Sequence, residues 1–339
     1  MSSYLKDDIV VVDDRSAAST LLNKGCFGSP QTGGTSILTL VEAAYLLETG
    51  RLEVRRSRKG RNADLPELLK RGLSKDARFM ENFLVFRDLR NRGIVVVGTG
   101  RSSFSTFPRG KRPGSGKADS WITVQREHDP VTPKGLWLEA KSRENMKMRS
   151  ISAVVDSDWD ITYYNVRTSL DEVIEEDRTV DSTDRGWSRI DIGTGGAILH
   201  DGPLKELHSS DFVGTELGGA LIISPEEDSM LGKGRKHADD PKYRTYLDLR
   251  KRGWSVRTGF KYGAHFRVYT QRRPDKHSTF LVHCVPEEQS FTWEELSRPL
   301  RLSHSVRKRF LFSFEPTGIS EPHLKKEGPA YLEMGWVRP

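Results

Sequence analysis

Asp88-Leu89-Arg90-Asn91-Arg92-Gly93 returns 160 residues later as Asp248-Leu249-Arg250-Lys251-Arg252-Gly253, with five of the six positions identical. Each stretch reads as the end of a helix. Apolar residues precede it at helical spacing, Phe79, Phe83 and Phe86 in the first case and Tyr243, Tyr246 and Leu247 in the second. Cations fill the last turn, where the unpaired carbonyls favour them, and glycine follows where the chain must leave the helix. A β-rich segment comes next both times, Ile94-Val95-Val96-Val97 and Trp254-Ser255-Val256.

Working outward, the correspondence continues. Residues 118–124 lie 159 positions before 277–283, and both blocks read as strands entered through a polar turn. Residues 148–156 lie 159 positions before 307–315, each basic and then apolar. Upstream, 24–28 loosely mirrors 209–214. Three matched blocks at nearly one offset predict an α+β chain built as a tandem duplication of an α/β unit. Residues 1–170 form one copy and 185–339 the other. Between them, 171–184 carries seven acids against one base and reads as a solvated linker.

A length of 339 residues suits about two domains. Hydrophobic residues make up 35% and charged residues 30%, a soluble globular balance. No apolar run approaches the ~20 residues that span a bilayer, and the N-terminus has no signal-peptide layout, so a cytoplasmic protein with no membrane partner is expected. Cys26 and Cys284 are the only cysteines and belong to no metal-ligand spacing, so the sequence predicts two buried free thiols rather than a disulfide scaffold. The net charge of +7 is unevenly spread. Residues 250–309 hold fourteen Lys/Arg against five Asp/Glu, which favours a phosphate-binding face in the second copy.

Reactive side chains occur in that copy alone. His277 opens a strand where the other copy has Ala118. Lys308 stands between a helical turn (303–307) and a strand (310–314), where the other copy has Arg149. Tyr269 ends a strand, and its counterpart lies near Phe107. Tyrosine, histidine and lysine suit RNA cleavage by the ribose 2'-OH. A tyrosine beside cations accepts a proton, a histidine titrating near neutrality donates one, and an ammonium offsets the transition-state charge. The nucleophile belongs to the substrate, so no metal or cofactor is required.

Gly259-Phe260-Lys261-Tyr262-Gly263-Ala264-His265-Phe266-Arg267-Val268-Tyr269 resembles the glycine–aromatic–basic strand pair of the tRNA-splicing endonucleases. Residues 277–283 and 302–308 resemble that family's other two catalytic blocks, with gaps of eight and 31 residues separating Tyr269, His277 and Lys308. The resemblance covers nearly the whole chain and is to the long, duplicated archaeal form. It implies a small N-terminal subdomain and a mixed-sheet, nuclease-like C-terminal subdomain in each copy. It implies Tyr269 as general base, with Tyr262 a competitor in the same block, His277 as general acid and Lys308 as transition-state stabiliser. Arg301 and Arg338 resemble the arginines that sandwich an unpaired base. The implied assembly is a homodimer, and the implied partner is precursor tRNA with a bulge–helix–bulge, cut to 2',3'-cyclic phosphate and 5'-OH ends.

Three further motifs are decided by their chemistry. Asp156-Ser157-Asp158-Trp159-Asp160 begins like a calcium loop, but its sixth position is Ile161 and its twelfth Arg167, which excludes calcium. The resemblance instead gives Asp156, Asp158 and Asp160 to an acidic loop that docks into a basic pocket of the partner subunit. Gly98-Thr99-Gly100 and Gly193-Thr194-Gly195-Gly196 fit no nucleotide-binding pattern and read as turns. The rival expectation is a non-catalytic RNA-binding or structural subunit of the same kind of enzyme.

Overall fold

The computed structural model describes residues 3–168, 186–193, 195–232, 240–270, 277–316 and 328–339. They separate into two compact units, one drawn from 3–129, 139–166 and 336–339 and the other from 130–138 and 167–335. The acidic segment 171–184 lies outside the described residues. No helix among the described residues is long and apolar enough to cross a membrane.

Each unit has a small N-terminal subdomain followed by a helix and a five-stranded mixed sheet. In the first, the helix Phe79–Asn91 leads to strands ordered Val95–Gly100, Ser103–Phe107, Ser120–Arg126, Arg149–Val155 and Ile161–Arg167. In the second, the helix Pro241–Lys251 leads to Ser255–Thr258, Phe266–Tyr269, Phe280–Cys284, Arg309–Phe314 and Ala330–Trp336. The pairing senses are identical. Two antiparallel pairs come first, then one parallel pair bridged by a helical crossover, then a final antiparallel pair. The duplication read from the sequence is therefore present strand for strand in the two sheets.

The repeated hexapeptide has a structural cause beyond helix termination. The Asp88 carboxylate accepts from Arg92 Nε at 2.8 Å and from Tyr163 OH at 2.6 Å. In the second unit, Asp248 accepts from Arg252 Nε at 2.8 Å and from Tyr331 OH at 2.7 Å. Each aspartate thus ties its helix to the last strand of its own sheet. Arg90 donates to the carbonyls of Gly25 and Cys26, and Arg250 donates to that of Asp211, so the loose upstream match is where the first arginine of each motif lands. Tyr331 is 4% exposed, and removing its acceptor leaves a buried phenol unpaired. Asp248→Ala is expected to lower stability by about 1–3 kcal/mol in chemical denaturation, and Asp248→Asn, which keeps an acceptor, by less. Equal losses in the two variants would mean that the aspartate acts through its charge alone.

The ladders also correct the counterparts inferred from sequence. Val95 pairs with Phe107 as Ser255 pairs with Tyr269, so Phe107 does stand for Tyr269. Asp119 N–H donates to Thr106 O as Thr279 N–H donates to Val268 O, which makes Lys117, not Ala118, the counterpart of His277. Met148 N–H donates to Arg143 O as Lys308 N–H donates to Ser303 O, so Met148, not Arg149, stands for Lys308. Arg149 corresponds to Arg309. A one-residue slip in a strand exchanges the two faces of a sheet, and sequence similarity this weak does not set register, whereas hydrogen bonds do.

Candidate active site

The second sheet is anchored by large buried side chains. Trp254 and Trp293 are each 1% exposed, and Trp254 stacks on Phe280 at 5.5 Å between ring centres. The Arg309 guanidinium lies 4.6 Å from the Phe280 ring centre and forks onto Glu333, which also accepts from Arg167 at 2.8 Å. That leaves Arg309 committed to the fold. The helix before it is longer than the sequence reading allowed. It runs Trp293–Ser305, opened by a full capping box between Thr292 and Glu295, with Pro299 inside. Trp293, Leu296, Leu300 and Ser303 form its buried face. Arg307 at φ 55° turns the chain out of the helix, and Lys308 follows directly before strand Arg309–Phe314.

Three strand ends therefore meet along one sheet edge. Tyr269 is the last residue of Phe266–Tyr269, His277 lies three residues before Phe280–Cys284, and Lys308 lies one before Arg309–Phe314. The first pair is antiparallel and the second parallel, with Val268 opposite Phe280 and Phe280 opposite Arg309. The edge is pinned by Thr270 Oγ1 to Thr279 Oγ1 at 2.9 Å. Lys308 Nζ donates to Ser278 O at 3.2 Å, on the residue next to His277. Tyr269 is 9% exposed, with the Arg267 guanidinium 5.9 Å from its ring centre, and His277 is exposed. No hydrogen bond joins the three side chains directly among the described residues. A buried tyrosine, an exposed histidine and a tethered ammonium on one edge can take a proton, give a proton and stabilise negative charge on a group lying across them.

A fourth side chain reaches this edge. Tyr262, named from sequence only as a rival base, closes the 3₁₀ turn Phe260–Tyr262, and its ring centre is 5.5 Å from Lys308 Nζ. Nothing in the local sequence signals that contact, because it joins the turn to a residue 46 positions later.

Arg301 is exposed on the helix Trp293–Ser305, away from its buried face. Arg338 is exposed and its guanidinium lies 5.3 Å from the Trp336 ring centre. In the first unit, residues 156–160 form a turn between strands Arg149–Val155 and Ile161–Arg167. Asp156 is spent on that turn, accepting from the Asp158 and Asp160 amides at 3.1 and 2.9 Å. Asp158 and Asp160 are exposed, as is Trp159 at φ 67°. Gly98–Gly100 correct the sequence reading, since they end strand Val95–Gly100 at a register shift and form no separate turn. In the other glycine run, Gly193 and Gly195 have positive φ, and Thr194 lies outside the described residues. Cys26 and Cys284 are free thiols, half-buried where full burial was expected.

By the start of strand Phe266–Tyr269, a cavity of about 910 Å³ is lined by Lys242, Arg257, His265 and Arg267 together with Glu226 and Glu227. Lys242 pairs with Glu226 at 2.5 Å and Arg257 with Glu227 at 3.2 Å, whereas Arg267 Nε is buried without a partner among the described residues. His265 Nδ1 accepts from the Cys284 amide at 3.0 Å, and its ring centre is 4.6 Å from that of His283. Burial, with His265 alongside, pushes His283 down to about 4, and burial lowers His265 as well. In the unfolded chain each histidine takes up a proton near pH 6.5. The folded protein resists that uptake, so the associated stability is complete above pH 6.5 and is lost as pH falls towards 4. Discounted for solvent around half-buried rings, the loss is about 1–2 kcal/mol. Urea titrations at pH 7 and 4.5 should show His283→Phe with a shallower acid dependence than the parent, and unchanged acid dependence would contradict the assignment.

A family model described as the catalytic C-terminal domain of tRNA intron endonuclease matches this chain twice, at residues 79–163 and 240–319. The second match spans Tyr269, His277 and Lys308. A model of the same enzyme's N-terminal domain matches residues 1–69. The chain is similar to the tRNA-splicing endonuclease of Methanococcoides burtonii, at 31% identity over 99% of both chains, and to that of Methanosarcina acetivorans, at 29% over 100% of both. The shorter tRNA-splicing endonuclease of Thermococcus kodakarensis is 34% identical across 95% of its own length and 48% of this chain. With the same domain model matching both halves and full-length relatives on either side of 30% identity, the chain belongs to the tRNA intron endonuclease family.

Proposed function

We propose that this protein is an RNA endonuclease that excises introns from precursor tRNA, cutting both exon–intron junctions of a bulge–helix–bulge. Residues 1–170 serve as the non-catalytic copy, 171–184 as the linker and 185–339 as the catalytic copy. Tyr269 removes the proton from the ribose 2'-OH, whose oxygen attacks the adjacent phosphorus. The bond from phosphorus to the 5'-oxygen breaks as His277 protonates that oxygen, and Lys308 offsets the charge gathered on the phosphoryl oxygens. The products are a 2',3'-cyclic phosphate and a 5'-OH, and every step runs without metal. Arg301 and Arg338 contact the unpaired bases by guanidinium stacking. The observation that carries the reading is that Tyr269, His277 and Lys308 fall on one edge of the second sheet, while the first sheet has Phe107, Lys117 and Met148 at the equivalent positions. Incubation with a bulge–helix–bulge RNA and a fully paired control tests it. Two cuts in the first and none in the second are expected, and no cutting of either leaves a non-catalytic subunit.

The active assembly in this reading is a cytoplasmic homodimer with two sites related by a twofold axis, which suits two cuts in a pseudosymmetric RNA. The acidic turn of one chain docks on basic groups of the other chain's second unit. Support comes from the exposed Asp158 and Asp160 and from the unpartnered Arg267 Nε in the 910 Å³ cavity. Replacing Asp158 and Asp160 with Ala should shift the dimer to monomer at low protein concentration, because a buried cation would lose its partner. Adding Asp156→Ala should also loosen the turn itself. An unchanged sedimentation profile would remove the turn from the interface.

A further inference from the structure

We propose that Tyr262 is a positioning residue for the cleavage reaction: the face of its ring holds the Lys308 ammonium in place at the sheet edge. The proposal rests on the reading of Lys308 as the transition-state stabiliser. A lysine ammonium sits on a flexible four-carbon stem, so a lysine that must meet charge at one point benefits from restraints on its tip. Two restraints are present. Lys308 Nζ donates one hydrogen to Ser278 O at 3.2 Å, and the Tyr262 ring centre lies 5.5 Å away, inside the ~6 Å reach of a cation–π contact. The remaining donor directions are left for a phosphate.

The turn carrying the ring is itself fixed. Gly259 N–H donates to His265 O at 3.1 Å, Tyr262 N–H to Gly259 O at 2.8 Å and Gly263 N–H to Phe260 O at 3.0 Å. A Cβ on Gly259 would sit 2.8 Å from Ala264 O, and Gly263 adopts φ 66°, so both glycines are needed for the chain to fold back tightly here. The same ring has the Lys261 ammonium at 5.4 Å. An electron-rich face thus lies against two cations beside the reaction edge, where a tyrosine serving only as core would be enclosed by apolar groups. Tyr262 is half-exposed instead.

The test is single-turnover cleavage of a precursor RNA by the full-length protein. Tyr262→Phe keeps the ring and should cut at close to the parent rate. Tyr262→Leu removes the aromatic face and should slow the chemical step roughly three- to thirtyfold with RNA binding unchanged. Tyr262→pentafluoro-Phe keeps the shape of the Phe variant while withdrawing charge from the ring face, so it should be slow even though its packing is preserved. In a Lys308→Met background, Tyr262→Leu should cost nothing more. The proposal is overturned if the fluorinated ring cuts as fast as Phe, or if Leu costs the same factor with and without Lys308. Lys308→Met cutting at the parent rate would instead remove the underlying role of Lys308, and that result is read separately.

Discussion

His277→Ala is expected to slow single-turnover cleavage of a bulge–helix–bulge RNA by about 10²-fold or more while leaving the fold intact. The side chain is exposed and stands outside strand Phe280–Cys284, so its loss opens no cavity and breaks no ladder. What disappears is the proton for the departing 5'-oxygen, an alkoxide that leaves poorly unprotonated. A variant that cuts at near-normal rates would take His277 out of the mechanism, and one that melts early would show a structural duty that its exposure argues against.

Lys308→Met should have an effect of similar size for a different reason. Methionine is the residue at the equivalent position of the first sheet, so the substitution makes the second edge resemble the first. The RNA should still bind, because many other cations remain between residues 250 and 309. The rate should fall about 10²–10³-fold, the usual cost of removing one preorganised group that meets developing charge. Arg309 next to it offers no substitute, since its guanidinium is held by Glu333 and lies over Phe280. A loss expressed only as weaker binding would mean that Lys308 is one more phosphate contact.

The two helix ends were legible because every cue in them is local: apolar spacing, last-turn cations and a terminal glycine. Their repetition at a fixed offset then announced the duplication. Tyr269, His277 and Lys308 stand out in the sequence because each lies at a strand end that the apolar pattern delimits. The one-residue errors at Ala118 and Arg149 arose because offset counting is blind to register. The sequence shows only a helical turn at 303–307, whereas the Thr292–Glu295 capping box and four buried side chains carry one helix, with Pro299 inside it, from Trp293 to Ser305. Asp156 looked like a member of a uniform acidic cluster, yet its carboxylate is folded inward as the support of the turn. The ring of Tyr262 against Lys308 is a tertiary contact and leaves no local trace.

The proposed mechanism makes the substrate's own 2'-OH the nucleophile, served by three side chains of the second sheet. It is tested most directly by analysing product ends after cleavage of pre-annealed bulge–helix–bulge RNA in excess EDTA. Annealing beforehand keeps any role of magnesium in RNA folding out of the result. Full cleavage is expected, with upstream fragments ending in 2',3'-cyclic phosphate and downstream fragments beginning with 5'-OH. Abolished cleavage in EDTA, or upstream fragments ending in 3'-OH, would contradict it and point to water activated by metal ions as the nucleophile.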